Sequence, residues 1–396
     1  MPSISQRGTR LPSSPIRKLV PLSDAAKREG VKVYHLNIGQ PDLPTPPKGL
    51  EALKHITRTT LEYSPSEGIL PLREKMSAYY ARFGLQVAPS EIIVTTGGSE
   101  AILFAFLACL DPGDEIVMLE PVYANYITLA QAAGVVVKTV TARIEDGFAL
   151  PPVSAFEAAI TERTRGILLC HPSNPTGTVY DREELLQLKR LVLKYNLYLF
   201  SDEVYREFVY NDVPFVSALA LDIPEHVVVL DSVSKRYSAC GIRVGMLVSL
   251  NPEVRAAVMK LCQARLSPPL LGQIVAEASI EGTEDYARAC YEEYKARRDF
   301  FIEGLNQIPG VYSPMPQGAF YTVASLPVED AEDFCRWLLT DFRQNGETVM
   351  MAPAAGFYAT PGMGRNEVRL AYVLKKQDLA RALELLRAAL EAYNKK

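Results

Sequence analysis

Between residues 92 and 249 one pattern recurs, and it limits what this chain can fold into. Short, continuous apolar runs alternate with helix-like stretches or loops: Ile92–Thr95, Glu115–Leu119, Val135–Val140, Gly166–Cys170, Leu197–Ser201, Val227–Asp231 and Val244–Ser249. A strand that is apolar throughout, rather than at every second position, is buried on both faces. Strands of this kind with helices between them predict an α/β fold built on a mostly parallel sheet. In such sheets ligands bind beyond the carboxyl ends of the strands. The residues that follow each run are therefore where chemistry is to be sought.

After Pro252 the pattern changes. Helices are predicted at Glu253–Ala264, Leu271–Glu281 and Asp285–Gln307, then strands at Ala319–Ala324, Glu347–Met351 and Glu367–Tyr372, with helices at Val328–Gln344 and Lys376–Tyr393. The first 45 residues are irregular and Pro-rich, with a helix at Pro21–Glu29 and an extended Val33–Ile38. The expected division is an N-terminal arm and part of a small domain (1–45), a large domain (46–282) and a small C-terminal domain (283–396).

The 396 residues are 48% hydrophobic and 22% charged, a globular rather than a disordered composition. A net charge of −4 gives no electrostatic reason to expect nucleic acid or an anionic membrane surface. The six cysteines form no Cys-x-x-Cys pair, and the four histidines have no metal-ligand spacing, so neither a disulfide framework nor a metal is expected. The opening residues lack the apolar core of a secretory signal. The longest strongly apolar run, Ala101–Leu110, falls far short of the roughly 20 residues that span a bilayer. A cytoplasmic, non-membrane protein is the expectation.

Each strand end delivers polar or aromatic groups to one rim. Thr96-Gly97-Gly98-Ser99-Glu100 follows the first run, Glu120-Pro121-Val122-Tyr123 the second, and Ser173-Asn174-Pro175-Thr176-Gly177 lies beyond Cys170. Asp202-Glu203-Val204-Tyr205 and Ser232-Val233-Ser234-Lys235 follow the next two, with Arg243 beyond. A glycine turn opening a helix offers amides and a positive dipole end to a phosphate. Ser232, Ser234 and Arg243 could add hydroxyls and a cation. Tyr123 could stack on a flat ring, Asn174 and Tyr205 could bind a ring hydroxyl, and Asp202 could pair with a protonated ring nitrogen. Lys235 supplies an amine able to form a Schiff base. Pyridoxal 5′-phosphate needs all of these at once.

With these motifs the chain resembles the class I/II pyridoxal-phosphate aminotransferases, the aspartate aminotransferase superfamily of fold type I. The resemblance runs from about Val33 to the end. It rests on Gly39-Gln40-Pro41-Asp42, Asn174-Pro175-Thr176-Gly177, Asp202-Glu203-Val204-Tyr205, Ser232-Val233-Ser234-Lys235 with Gly241-Ile242-Arg243-Val244-Gly245, and Asn366-Glu367-Val368-Arg369, in the family's order. It implies a large domain with a mostly parallel seven-stranded sheet covered by helices, plus a smaller α/β domain from both chain ends. It implies that Lys235 holds the cofactor, that Asp202 pairs with the ring nitrogen, and that Asn174 and Tyr205 contact the ring oxygen. Tyr123 would stack on the ring. Gly98, Ser99, Glu100 (through its amide), Ser232, Ser234 and Arg243 would serve the phosphate, with Tyr63 reaching the partner subunit's phosphate. Arg369 would clamp the substrate α-carboxylate, helped by Gly39 and Asn174. A homodimer with its active site at the interface is implied.

The implied reaction moves an amino group between an α-amino acid and a 2-oxo acid by ping-pong chemistry, with aspartate and 2-oxoglutarate the first choice. A β-lyase, a decarboxylase, or a transaminase of aromatic or other amino acids are the alternatives. A regulator would need a DNA-binding segment ahead of the core, and a dinucleotide oxidoreductase a Gly-x-Gly-x-x-Gly turn that follows no strand here. A dicarboxylic substrate needs a second cation, and Arg265 is the candidate from sequence.

Overall fold

The computed structural model describes residues 2–210 and 214–395. Its first strand is β1 (Lys32–His35). The apolar runs then form β2 (Ile92–Thr95), β3 (Glu115–Glu120), β4 (Val136–Thr141), β5 (Thr164–Cys170), β6 (Tyr198–Asp202), β7 (Val227–Ser232) and β8 (Gly245–Val248). These make one seven-stranded sheet in the order β2-β8-β7-β6-β5-β3-β4. β4, β3, β5, β6 and β7 pair in parallel, while β8 runs antiparallel to both β7 and β2. The connection from β7 to β8 carries only a one-turn helix, Val233–Arg236, and a short turn at Cys240–Ile242, neither able to cross the sheet. The chain therefore returns antiparallel.

Side-chain alternation explains the continuous apolar runs. Leu168, Phe200 and Leu230 point to one face, into a cluster with Phe106, Tyr126 and Val258. Their neighbours Leu169, Leu199 and Val229 point to the other, into a cluster with Met76, Leu188 and Val192. Both faces of the central strands are dry over these positions, which is why the runs are apolar throughout.

Three helices of 8 to 14 residues lie outside the predicted elements: Pro47–Lys54, Leu70–Ala81 and Arg182–Tyr195. The third carries a legible signal. Asp181 accepts from the Glu184 amide (2.9 Å) and Glu184 accepts from the Asp181 amide (2.8 Å), a reciprocal cap. The predicted Val328–Gln344 helix is shorter, Ala331–Thr340. Asp330 sets its start by accepting from the amides of Glu332 (2.8 Å) and Asp333 (3.2 Å).

The C-terminal strands are β9 (Tyr321–Ser325), β10 (Glu347–Met350), β11 (Ala352–Pro353) and β12 (Glu367–Ala371). They form two small sheets: β10 pairs in parallel with β1, and β11-β12-β9 is antiparallel. One apolar cluster joins both ends of the chain, from Leu19, Tyr34 and Leu36 to Phe301, Leu338, Leu370 and Leu386. Among the described residues no helix is long and apolar enough to cross a membrane.

Candidate active site

β6 ends on Asp202, which β5 holds in register beside Cys170. Only 9% of Asp202 is exposed. Its Oδ2 accepts from the Tyr126 hydroxyl and its Oδ1 from the Val204 amide (3.2 Å). Burial pushes the carboxyl up to about 6. The site thus presents a carboxylate that gains by meeting a cation.

Lys235 lies in the one-turn helix after β7. The Ser232 hydroxyl caps that turn, accepting from the Ser234 amide (3.1 Å). Lys235 Nζ donates to the Gly39 carbonyl (2.9 Å) and lies 3.7 Å from Cys240 Sγ. The primary amine is thereby held at the seam between the N-terminal segment and the sheet edge.

Beneath these two residues lies a buried set of four charges. Arg206 donates to Glu203 (2.9 Å) and lies 3.5 Å from Asp231 Oδ2, while Arg236 donates to Asp231 Oδ1. Tyr80 donates to Asp231 (2.8 Å), and Glu203 accepts from Ser217 (2.8 Å), Ser201 (3.0 Å) and the Ala218 amide (2.9 Å). Burial would raise the Asp231 carboxyl, but the two guanidinium groups prevail and hold it below its usual range. Glu203 follows Asp202 and Arg236 follows Lys235 in sequence. The set balances two acids against two bases and ties together the backbones that carry the site.

The glycine turn after β2 meets the start of β8. A Cβ on Gly245 would fall 2.4 Å from the Gly97 carbonyl carbon, so only glycine lets β8 lie across the turn. Gly97 itself has φ 75°, and a Cβ there would meet the Arg243 guanidinium at 2.5 Å. A Cβ on Gly98 would lie 3.8 Å from Ser232 Cβ, and the Ser232 and Ser234 hydroxyls are 2.8 Å apart. Gly98, Ser99, Ser232, Ser234 and Arg243 therefore converge at the N-terminus of the helix Gly98–Cys109. Glu100 departs from expectation. Its amide donates to the Gly97 carbonyl (3.2 Å), and its carboxylate accepts from the Thr96 amide (2.8 Å) and from Arg265 (2.8 Å). It supports the turn from behind, leaving the Gly98 and Ser99 amides to face the cradle.

Opposite Lys235, β12 delivers Arg369, 1% exposed. It donates to Asn174 Oδ1 (3.2 Å) and to the Asn37 carbonyl, and its guanidinium lies 4.6 Å from the Tyr321 ring centroid and 5.0 Å from that of Phe357. Its Nε has no hydrogen-bond partner, and no carboxylate pairs with it among the described residues. Burial lowers its pKa. A buried cation without a counter-ion is a site for an incoming anion.

Tyr205 is buried, its hydroxyl 3.2 Å from that of Tyr321, which also donates to the Gly39 carbonyl (3.3 Å). A Cβ on Gly39 would fall 1.9 Å from the Tyr321 hydroxyl, so this contact requires glycine. Tyr123 stands edge-on to Tyr126 and accepts from Asn125 (2.7 Å). Tyr63 lies apart from this group, 76% exposed. Arg265 is not free. It pairs with Glu100 and donates to the Ser66 carbonyl (2.9 Å). Tyr126, Tyr321, Phe357 and Cys240 join the site without having been expected there. His171 is a core residue, accepting from the Tyr180 amide (3.1 Å) and stacked on Phe215.

A family model for class I and II aminotransferases matches residues 31–386. The chain belongs to this family. It is similar to the aspartate/prephenate aminotransferase of Thermus thermophilus, 32% identical over 90% of this chain and 91% of that protein. It is similar to the aspartate aminotransferase of Thermotoga maritima, 33% identical over 96% and 97%. The solved structure of the Thermus thermophilus aspartate aminotransferase with maleate overlays with a TM-score of 0.88, at 31% identity, over 98% of this chain and 100% of that one. The protein is an aminotransferase of fold type I that uses pyridoxal 5′-phosphate.

Proposed function

We propose that this aminotransferase exchanges an amino group between aspartate and 2-oxoglutarate, with the residues of the sheet edge in the roles expected of them. The observation that carries the reading is Arg369, buried without a counter-ion and flanked by Asn174 and the Asn37 carbonyl. Its planar fork suits an α-carboxylate. The names of the relatives, and maleate in one solved structure, support a dicarboxylic substrate.

The residues present fit the cofactor. Asp202 is a buried acid whose burial favours its proton unless a cation adjoins it, which suits a protonated ring nitrogen. The Gly97-Gly98 turn, Ser99, Ser232, Ser234 and Arg243 suit a phosphate. Tyr205, and the Asn174 amide left free by Arg369, suit a ring hydroxyl. When bound, pyridoxal phosphate supplies an aldehyde that takes up amines and a ring that draws electrons from the substrate α-carbon. Lys235 Nζ would hold the aldehyde and, when free, would serve as the base that moves the α-proton. The Gly39 carbonyl orients that amine, and Tyr321 bridges it to the Arg369 side of the pocket.

The division into a large domain of residues 46–282 and a smaller one joining the chain ends is part of the proposal. It is supported by the separate apolar clusters on the sheet and around Phe301 and Leu370. A homodimer that brings Tyr63 to the partner's phosphate is supported by that side chain's exposure. Six unpaired cysteines fit a cytoplasmic setting. A panel of amino donors against 2-oxoglutarate tests the substrate. Aspartate is expected to give the highest kcat/KM, and an equal or higher value for alanine would overturn the assignment.

A further inference from the structure

We propose that Tyr321 is a positioning residue of this reaction: its hydroxyl oxygen competes with the cofactor's ring oxygen for the Tyr205 proton, and so sets how readily the bound cofactor is deprotonated. The inference rests on the reading of Tyr205 as a partner of the ring oxygen and names the residue that limits that contact.

The direction of each hydrogen bond follows from the groups involved. A carbonyl only accepts, so the Tyr321 hydroxyl spends its single proton on Gly39 (3.3 Å). At its contact with Tyr205 (3.2 Å), Tyr321 is therefore the acceptor and Tyr205 the donor. Neither hydroxyl has another hydrogen-bond partner among the described residues. Tyr205 also has one proton, and a ring oxygen must share it with Tyr321. Lys235 Nζ is the other donor to the Gly39 carbonyl (2.9 Å). When that amine is engaged elsewhere, the Tyr321 proton is the one left to satisfy the carbonyl.

Packing holds the two hydroxyls together. Both residues are buried. The Tyr205 ring stands edge-on to Phe320 and to Tyr321, with centroids 5.3 and 5.7 Å away. Tyr321 opens β9, which lies in register beside β12, and the Arg369 guanidinium covers its ring at 4.6 Å. Its hydroxyl sits over Gly39, where a Cβ would fall 1.9 Å away. The other charged and titratable groups that face the pair are Arg369 on β12, Asp202 at the end of β6, Cys170 at the end of β5, and Tyr123. None of them is hydrogen-bonded to either hydroxyl, so the contested proton is the direct route by which Tyr321 acts on Tyr205.

The test is absorbance titration of the bound cofactor against pH in the holoenzyme, in wild type, Tyr321→Phe, Tyr205→Phe and the double variant. Phe keeps the ring that Arg369 covers and removes only the oxygen. Freed of its rival, Tyr205 donates wholly to the ring oxygen and stabilises its anionic form. Tyr321→Phe should therefore lower the titration midpoint by about 0.4 to 1 pH unit, the worth of one hydrogen bond. In the Tyr205→Phe background the same change should leave the midpoint in place, because the proton in dispute is gone. A midpoint that Tyr321→Phe raises or leaves unmoved, or a shift that persists without the Tyr205 hydroxyl, overturns the role of Tyr321. If Tyr205→Phe still moves the wild-type midpoint, the reading of Tyr205 survives that result. A wild-type midpoint that Tyr205→Phe leaves unmoved overturns both.

Discussion

Replacing Asp202 with Asn isolates the charge on which the cofactor reading depends. The carboxyl ionises at its ordinary 3.8 in the unfolded chain and at about 6 in the folded one. A folded pKa that is raised makes ionisation a cost to the native state. Below about pH 4 both states carry the proton and the cost is absent; above about pH 6 both have lost it, and the cost is about 3 kcal/mol. Linkage distributes that cost over the titration, so that about 2 kcal/mol of it develops between about pH 4.5 and pH 8. Urea unfolding of the cofactor-free protein at a series of pH values in this window measures it. The Asn variant does not titrate, so its stability relative to wild type should rise by about 2 kcal/mol across the window, whatever constant offset its packing adds. At the upper end, pyridoxal phosphate should raise the unfolding midpoint of wild type more than that of the variant, because only the carboxylate gains a cationic partner. A difference that stays flat with pH, or falls, would refute the account of Asp202 as a charge held in reserve for a cation.

Other changes probe the rest of the site. Arg236→Met removes one member of the buried four-charge set and leaves Asp231 undercompensated; urea unfolding should show a loss of about 3–5 kcal/mol, and a loss under 1 kcal/mol would contradict the described balance. Gly39→Ala places a Cβ 1.9 Å from the Tyr321 hydroxyl, so Tyr321 must move; thermal unfolding should show a cost of about 1–3 kcal/mol and kcat/KM should fall, whereas unchanged values would mean that the Tyr321 bridge does not matter.

Much of this was legible in the sequence, for a physical reason. Strands buried on both faces announce themselves as unbroken apolar runs, and a parallel sheet must gather its functional groups at the carboxyl edge. Asp202, Lys235 and the glycine turn stand immediately beyond such runs. Tyr126 and Tyr321 were invisible to that rule. Tyr126 sits inside the helix Ala124–Ala133, with its ring in the core and only its hydroxyl at Asp202. Tyr321 opens β9 in the other layer and comes to Gly39 only when the chain ends dock. Arg265 looked available because its partner, Glu100, lies 165 positions away in sequence. The helices Pro47–Lys54 and Leu70–Ala81 begin without a side-chain cap, which leaves a first-turn proline as the starting signal.

The central claim is that Lys235 is the residue that carries the cofactor. Borohydride reduction of the protein reconstituted with pyridoxal phosphate, followed by peptide mass spectrometry, tests it directly. The account predicts one pyridoxyl group per chain, on Lys235, and none on that peptide in Lys235→Ala. A pyridoxyl group found on another lysine, or none on wild type, would contradict it.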